Sequence, residues 1–219
     1  LLGYTNYAVT CRNCVNKGDV IAVRKHEKDT YIGGISSRCT KTGTILENLK
    51  NEGNLVIELS GAFHVFGGGI TARIQGATVS DCDNSGNINV NYTCSASKKY
   101  LYLGGCIGNS LTAANTFAGC DNSGVITVNG TSTGAYVGGV VGYNAIELSI
   151  EDCHNSGNIS YNISGNTKNE GVAGVLMYST AKVSMKGCSN SGNISYNAPV
   201  TTNTCVGGIS GIFGGKDHS

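Results

Sequence analysis

The sequence predicts an all-β fold: a parallel β-helix, or β-solenoid, of about six coils with three short strands each and essentially no helix. Two observations predict it. The element Cys82-Asp83-Asn84-Ser85-Gly86-Asn87-Ile88 returns at 120–126, 153–159 and 188–194, with worn copies at 14–20 and 49–55. Each copy opens a stretch in which apolar and polar residues alternate, the pattern of a half-buried strand.

The marker asparagines are Asn16, Asn51, Asn84, Asn122, Asn155 and Asn190, separated by 35, 33, 38, 33 and 35 residues. A fixed period of this size belongs to solenoids, propellers and arrays. Residues 1–219 therefore read as a single solenoid domain of roughly 35-residue repeats. Leu1 through Cys14 aligns without gaps on Val140 through Cys153, and no initiator Met is present. The expectation is an excised part of a longer array.

Net charge is +1 and 13% of residues are charged, which gives no electrostatic footprint for nucleic acid or an anionic membrane. No apolar run approaches the roughly 20 residues needed to cross a bilayer.

The first strand of each coil comes after the marker glycine, as in Ile88-Asn89-Val90-Asn91 and Ile126-Thr127-Val128-Asn129. A polar stretch of variable length comes next, such as Cys94 to Lys99 or Gly165 to Glu170. The second strand is expected around a small-residue pair, as in Val137-Gly138-Gly139-Val140. The third leads into the marker, as in Leu148-Ser149-Ile150. No segment shows an apolar period of 3.6.

Stacked coils would pile like residues into ladders about 4.8 Å apart. Three apolar ladders are expected: Val20, Leu55, Ile88, Ile126, Ile159, Ile194; Ile35, Ile70, Cys106, Val140, Val175, Ile209; and Cys11, Leu46, Val79, Phe117, Ile150, Met185. The glycines Gly18, Gly53, Gly86, Gly124, Gly157 and Gly192 fill one position in every copy. They read as turn glycines with positive φ. A phosphate cradle would need a helix start after them. The asparagine ladder reads as amides bonded to a turn backbone and to their equivalents above and below.

No metal or other cofactor is expected. The position after the marker cysteine holds Val15, Lys50, Asp83, Asp121, His154 and Ser189, too mixed for calcium. Cys14, Cys82, Cys120, Cys153 and Cys188 share a ladder with Leu49 and read as buried thiols. Cys11-x-x-Cys14 has no second ligand pair for zinc. Cys39, Cys94 and Cys205 fall off these ladders and are the better bridge candidates, with no pairing deducible. His26, His64, His154 and His218 occupy four repeat phases, and the acids do not align. No catalytic residue is predicted and the chain is not expected to be an enzyme.

Tyr31, Phe66, Tyr102 and Tyr136 hold one position, and the next is Ile32, Gly67, Leu103, Val137. Neighbouring strand residues point to opposite faces. Two readings stay open: an aromatic ladder inside, or an exposed stripe for a partner or sugar. Asn91, Asn129 and Asn162 begin sequons and are candidate glycan acceptors, as are Asn158 and Asn193.

Gly139-Val140-Val141-Gly142, Gly105-Cys106-Ile107-Gly108 and the looser Gly208-Ile209-Ser210-Gly211 resemble the core of GLUG-type repeats. The Cys-x-Asn-x-Gly-x-Ile element is similar to the segment downstream of that core in such arrays. The resemblance implies a β-solenoid stalk of a large secreted or surface protein, such as a bacterial adhesin or an immunoglobulin-directed protease. In those proteins the repeats are not the catalytic part. The expectation is a non-catalytic structural or adhesive segment at the cell surface or outside the cell. Its partners would be other coils of the parent protein, a surface glycan or a host protein, with no nucleic acid and no membrane insertion. A filament subunit joining like subunits at the coil ends and a carbohydrate-binding module are the alternatives.

Overall fold

The computed structural model describes residues 2–26, 28–94, 96, 98–132, 134–165, 170–199 and 204–214. The chain is a β-solenoid of about six turns, with no helix among the described residues. Its strands form four stacked sheets, here numbered by their order along a coil. One full coil shows them all: Ile88–Thr93 in sheet I, Leu101–Gly104 in sheet II, Ile107–Ser110 in sheet III and Asn115–Asn122 in sheet IV. Each strand pairs in parallel with its equivalent one repeat away.

The register matches the expected ladders. Ile88 faces Leu55 and Ile126, and Val79 faces Leu46 and Phe117. The ladder through Cys106 is held by the N–H of Ile70 on Cys106 O at 2.9 Å and the N–H of Cys106 on Val140 O at 3.0 Å.

The expected count of three strands per coil is corrected to four. What read as a second strand is two strands, Ala135–Gly138 and Val141–Asn144, meeting at the glycine pair. The pair is a corner. A Cβ on Gly138 would overlap the carbonyl of Val141, and one on Gly139 would overlap the carbonyl of Gly174 and the Asn155 side chain. The sequence marks the pair but not the bend, because small residues suit both.

Two apolar columns result. Leu55, Val90, Ile126, Leu103 and Val137 fill the space between sheets I and II. Leu46, Val79, Phe117, Ile70 and Val140 fill that between sheets III and IV. Each buried side chain of this size contributes roughly 1.5–3 kcal/mol. The columns meet at a waist where the second corner glycine packs on the marker asparagine: Gly69 on Asn84, Gly105 on Asn122 and Gly139 on Asn155.

The marker glycines need a different reason from the one expected. None of the six has positive φ. They are glycine because successive copies touch: a Cβ on Gly86 would overlap Gly53 O, and one on Gly124 would overlap Gly86 O. One file of left-handed residues lies just before the marker cysteine position. They are Asn13, Asn48, Asp81, Gly119, Asp152 and Gly187, with φ from 49° to 66°. Only Asn, Asp and Gly visit that region readily.

All ten cysteines are free. Cys39, Cys94 and Cys205, expected as the better bridge candidates, form no disulfide; Cys39 and Cys94 are instead buried in the two columns, off the three apolar ladders. Sheet III turns Cys39 inward beside Ile74, and the Cys39 thiol lies 3.1 Å from Ser36 Oγ. Among the described residues no helix is long and apolar enough to cross a membrane.

Candidate interaction groove

The asparagine file is spent on the scaffold. Nδ2 of Asn16, Asn51, Asn84, Asn122 and Asn155 donates to Oδ1 of the next asparagine at 2.7–2.8 Å. The second hydrogen goes to the carbonyl of Gly18, Gly53, Gly86, Gly124 and Gly157 in turn. Asn190 donates to Gly192. Asn51, Asn84, Asn122 and Asn155 are buried, leaving no group of theirs to meet a ligand.

A shallow polar cleft on the outside of that corner is lined by Lys50, Asp83, Asp121, His154, Ser123 and Ser156. His154 Nδ1 lies 2.8 Å from Ser189 Oγ. Asp121 takes the backbone N–H of His154 at 2.9 Å, so the carboxylate does not orient the imidazole as in a hydrolytic triad. Lys50 pairs with Asp83 at 3.5 Å. Among the described residues no group of three His, Cys, Asp or Glu side chains is placed to hold a metal. His218 lies outside the described residues, and His26 ends the strand Val20–His26.

The aromatic stripe lies outside both columns. Ile32, Leu103 and Val137 point inward, so Tyr31, Phe66, Tyr102 and Tyr136 point out. Phe66 and Tyr136 are nevertheless buried and Tyr31 and Tyr102 half-buried, because sheet III folds back beside sheet II at the glycine corner. A second file there runs Tyr4, Arg38, Arg73, Asn109, Tyr143, Tyr178 in register. Its members stand seven residues after those of the first: Tyr31 with Arg38, Phe66 with Arg73, Tyr102 with Asn109, Tyr136 with Tyr143. The two files line one groove.

The rings pack on each other. Tyr31 stacks on Phe66 at 4.7 Å, Phe66 on Tyr102 at 5.0 Å and Tyr102 on Tyr136 at 5.6 Å, with planes 5° to 19° apart. Tyr143 stacks on Tyr178 at 5.4 Å and meets Tyr102 edge-on at 5.0 Å. Ring faces are used up along the file, and edges and hydroxyls remain. Burial and the neighbouring phenols push the Tyr102 and Tyr136 hydroxyls well above their ordinary range, so both stay protonated donors at neutral pH. His64 extends the cluster, accepting the N–H of Tyr100 on Nδ1 at 3.1 Å; burial lowers its pKa.

At one end the groove is cationic. The Arg38 guanidinium lies 4.9 Å from the Tyr4 ring centre and 5.0 Å from that of Tyr31. Arg73 lies 5.3 Å from Phe66 and donates to the Tyr31 hydroxyl at 3.0 Å. Among the described strands of sheets II and III the charged residues are Arg38, Arg73 and Glu170. Glu170 is fully buried on the inner side, accepting from Tyr161 at 2.7 Å and Tyr196 at 2.6 Å. No described ion pair involves either arginine. Unit charges at an inter-coil spacing of about 4.8 Å repel by about 1 kcal/mol in water and about 3 kcal/mol at an effective dielectric near 20. The ring faces offset part of this through cation–π attraction, on the order of 0.5–1 kcal/mol per exposed contact. Nε of both arginines and Oδ1 of Asn109 are buried without a hydrogen-bond partner.

Sequence reasoning found the first file and missed the second, together with Glu170. The signal was the seven-residue offset, whose meaning depends on the corner. The sequon asparagines Asn91, Asn129 and Asn162 form an outward file on sheet I, with Asn162 Nδ2 on Asn129 Oδ1 at 3.1 Å. No family model, curated protein or solved structure matches this chain.

Proposed function

We propose that the chain is a non-catalytic structural β-solenoid segment of an extracellular or cell-surface protein, a rigid spacer that presents an interaction surface. The observation that carries this reading is the division of labour among its columns. The recurring Asn, Gly and Cys residues are consumed by stacking, whereas the second file of the groove between sheets II and III, Tyr4, Arg38, Arg73, Asn109, Tyr143 and Tyr178, varies between coils. The GLUG-like elements support the same reading, since the last glycine of Gly105-Cys106-Ile107-Gly108 and Gly139-Val140-Val141-Gly142 sits where sheet III backs onto sheet II. The test is a panel of hydrolase and lyase substrates beside binding arrays of glycans and host-surface proteins. Binding without turnover is expected. Turnover abolished by His154→Ala or His64→Ala would overturn the reading.

A further inference from the structure

The Arg38–Arg73 end of the groove differs from the charged sites of sheet IV and its turns. There Arg12 pairs with Glu47, Lys17 with Glu52 and Lys50 with Asp83. Here two guanidiniums stand in consecutive coils with no carboxylate among the groove-facing strand residues: Glu170 faces inward, and Asp29, just before the strand Thr30–Gly33, accepts the backbone N–H of His64 at 3.1 Å. Neighbouring rings position both: Arg38 lies against the Tyr4 and Tyr31 rings, and Arg73 lies against Phe66 and donates to the Tyr31 hydroxyl. Beside them stands Asn109, only 2% exposed, with its Oδ1 unpartnered. A preformed guanidinium fork matches a carboxylate in two-point geometry.

We infer that this end of the groove binds an acidic oligosaccharide, whose uronic carboxylates pair with Arg38 and Arg73 and whose hydroxyls meet the phenol edges and the Asn109 amide. A hydroxyl-rich chain suits a surface that offers ring edges and hydroxyls. An extended acidic peptide suits it less. Same-face side chains of a peptide recur about every 6.8 Å, out of step with coils about 4.8 Å apart. Its backbone would also need a strand edge for its amides, and the groove is a sheet face.

The inference rests on the reading of the chain as a display scaffold. The experiment is calorimetric titration of the whole chain with a short oligogalacturonate, with its carboxyl-reduced neutral counterpart, and with poly-glutamate. Binding of the oligogalacturonate is expected, weakening as salt is raised, and falling about tenfold or more in Arg38→Gln/Arg73→Gln. Arg12→Gln, on sheet IV, is expected to bind as the wild type does. An unchanged circular dichroism spectrum and melting midpoint in the double variant separate lost contact from lost fold. No binding, equal binding of the neutral sugar, undiminished binding by the double variant, or tighter binding of poly-glutamate would each overturn the site. Those outcomes leave the scaffold reading standing. Cleavage of the oligogalacturonate by the wild type would instead overturn the scaffold reading.

Discussion

Asn84 Nδ2 donates one hydrogen to Asn122 Oδ1 at 2.7 Å and the other to Gly86 O at 2.9 Å. Because every link in the file runs the same way, a single flipped amide would set two donors against each other. The file therefore locks coil to coil at the waist. Asn122→Ala removes the acceptor of Asn84 and the donor to Asn155 and Gly124. Three lost bonds at about 1 kcal/mol each, plus buried orphan groups, predict a loss of about 3–5 kcal/mol. Urea unfolding followed by circular dichroism measures it. A loss under about 1 kcal/mol would mean that water replaces the ladder.

A second polar file is interrupted, and the interruption predicts a gain. Asp19 Oδ1 accepts the N–H of Asn54, Asn54 that of Asn87, Asn87 that of Val125, and Asn158 that of Asn193. Val125 cannot accept for Asn158 and is 40% exposed. Val125→Asn completes the file and removes an exposed apolar group, so a stabilisation of about 0.5–1.5 kcal/mol is expected. The urea midpoint should rise without a change in slope.

The left-handed column gives a test of backbone against packing. Gly119 has φ 58°, and its equivalents include Asn48 and Asp81. Gly119→Ala should cost about 1–2 kcal/mol. Gly119→Asn should cost distinctly less, since Asn tolerates this region. Thermal melting of the two variants decides; equal costs would point to crowding against Asp81 instead.

The contrast between these columns explains what the sequence revealed. Period, parallel stacking and the Ile88, Val79 and Cys106 ladders were legible because one chemistry repeats at each position. The column through Asn13, Asp81 and Gly119 was hidden because three different side chains answer one backbone need. Its acids looked like scattered charge. The fourth sheet was hidden because a glycine pair marks a corner and a flat strand alike. The groove was half legible: Tyr102 and Tyr136 form an evident stripe, but Arg73 and Tyr143 join it only once the chain bends at Gly68-Gly69 and Gly138-Gly139. Glu170 was not legible at all, because its two partners lie nine and 26 residues away on sheet I.

The titrating groups predict a stability plateau around neutral pH. Burial and the Cys14 thiol raise the Cys11 thiol from 9.0 to about 11. Burial and the bond to Glu170 raise Tyr196 from 10.0 to about 12. The native state prefers both protonated, so their stabilisation is complete below about pH 9 and is lost as pH rises through 11 and 12. His64 works in the other direction. Its native pKa lies below 6.5, so its contribution is present above that value and lost as pH falls. Melting midpoints against pH should show both limbs. Cys11→Ser should flatten the start of the alkaline limb, and His64→Gln, which keeps an acceptor for Tyr100, the acid one. Unchanged limbs in both variants would assign the pH dependence to other groups.

Gly171 and Met177 occupy the positions that Tyr136 and Gly142 hold one coil earlier. Sheet III can approach sheet II closely at Gly142, where a Cβ would lie 2.5 Å from Leu103 O. One coil on, Gly171 supplies the space instead, and buried Met177 fills it; a Cβ on Gly171 would run into the Met177 methyl and the Cys205 carbonyl. Large and small have changed sides. Gly171→Tyr alone should therefore be destabilising by about 1–3 kcal/mol through overpacking. Met177→Gly alone should cost about 2–5 kcal/mol through the cavity left. Combined, they restore the arrangement of the preceding coil and extend the ring stack beyond Tyr136. The double variant should be more stable than the two single costs sum to, by at least about 1 kcal/mol. Additive costs would show that the Cys205 carbonyl, and not Met177, sets the size of residue 171.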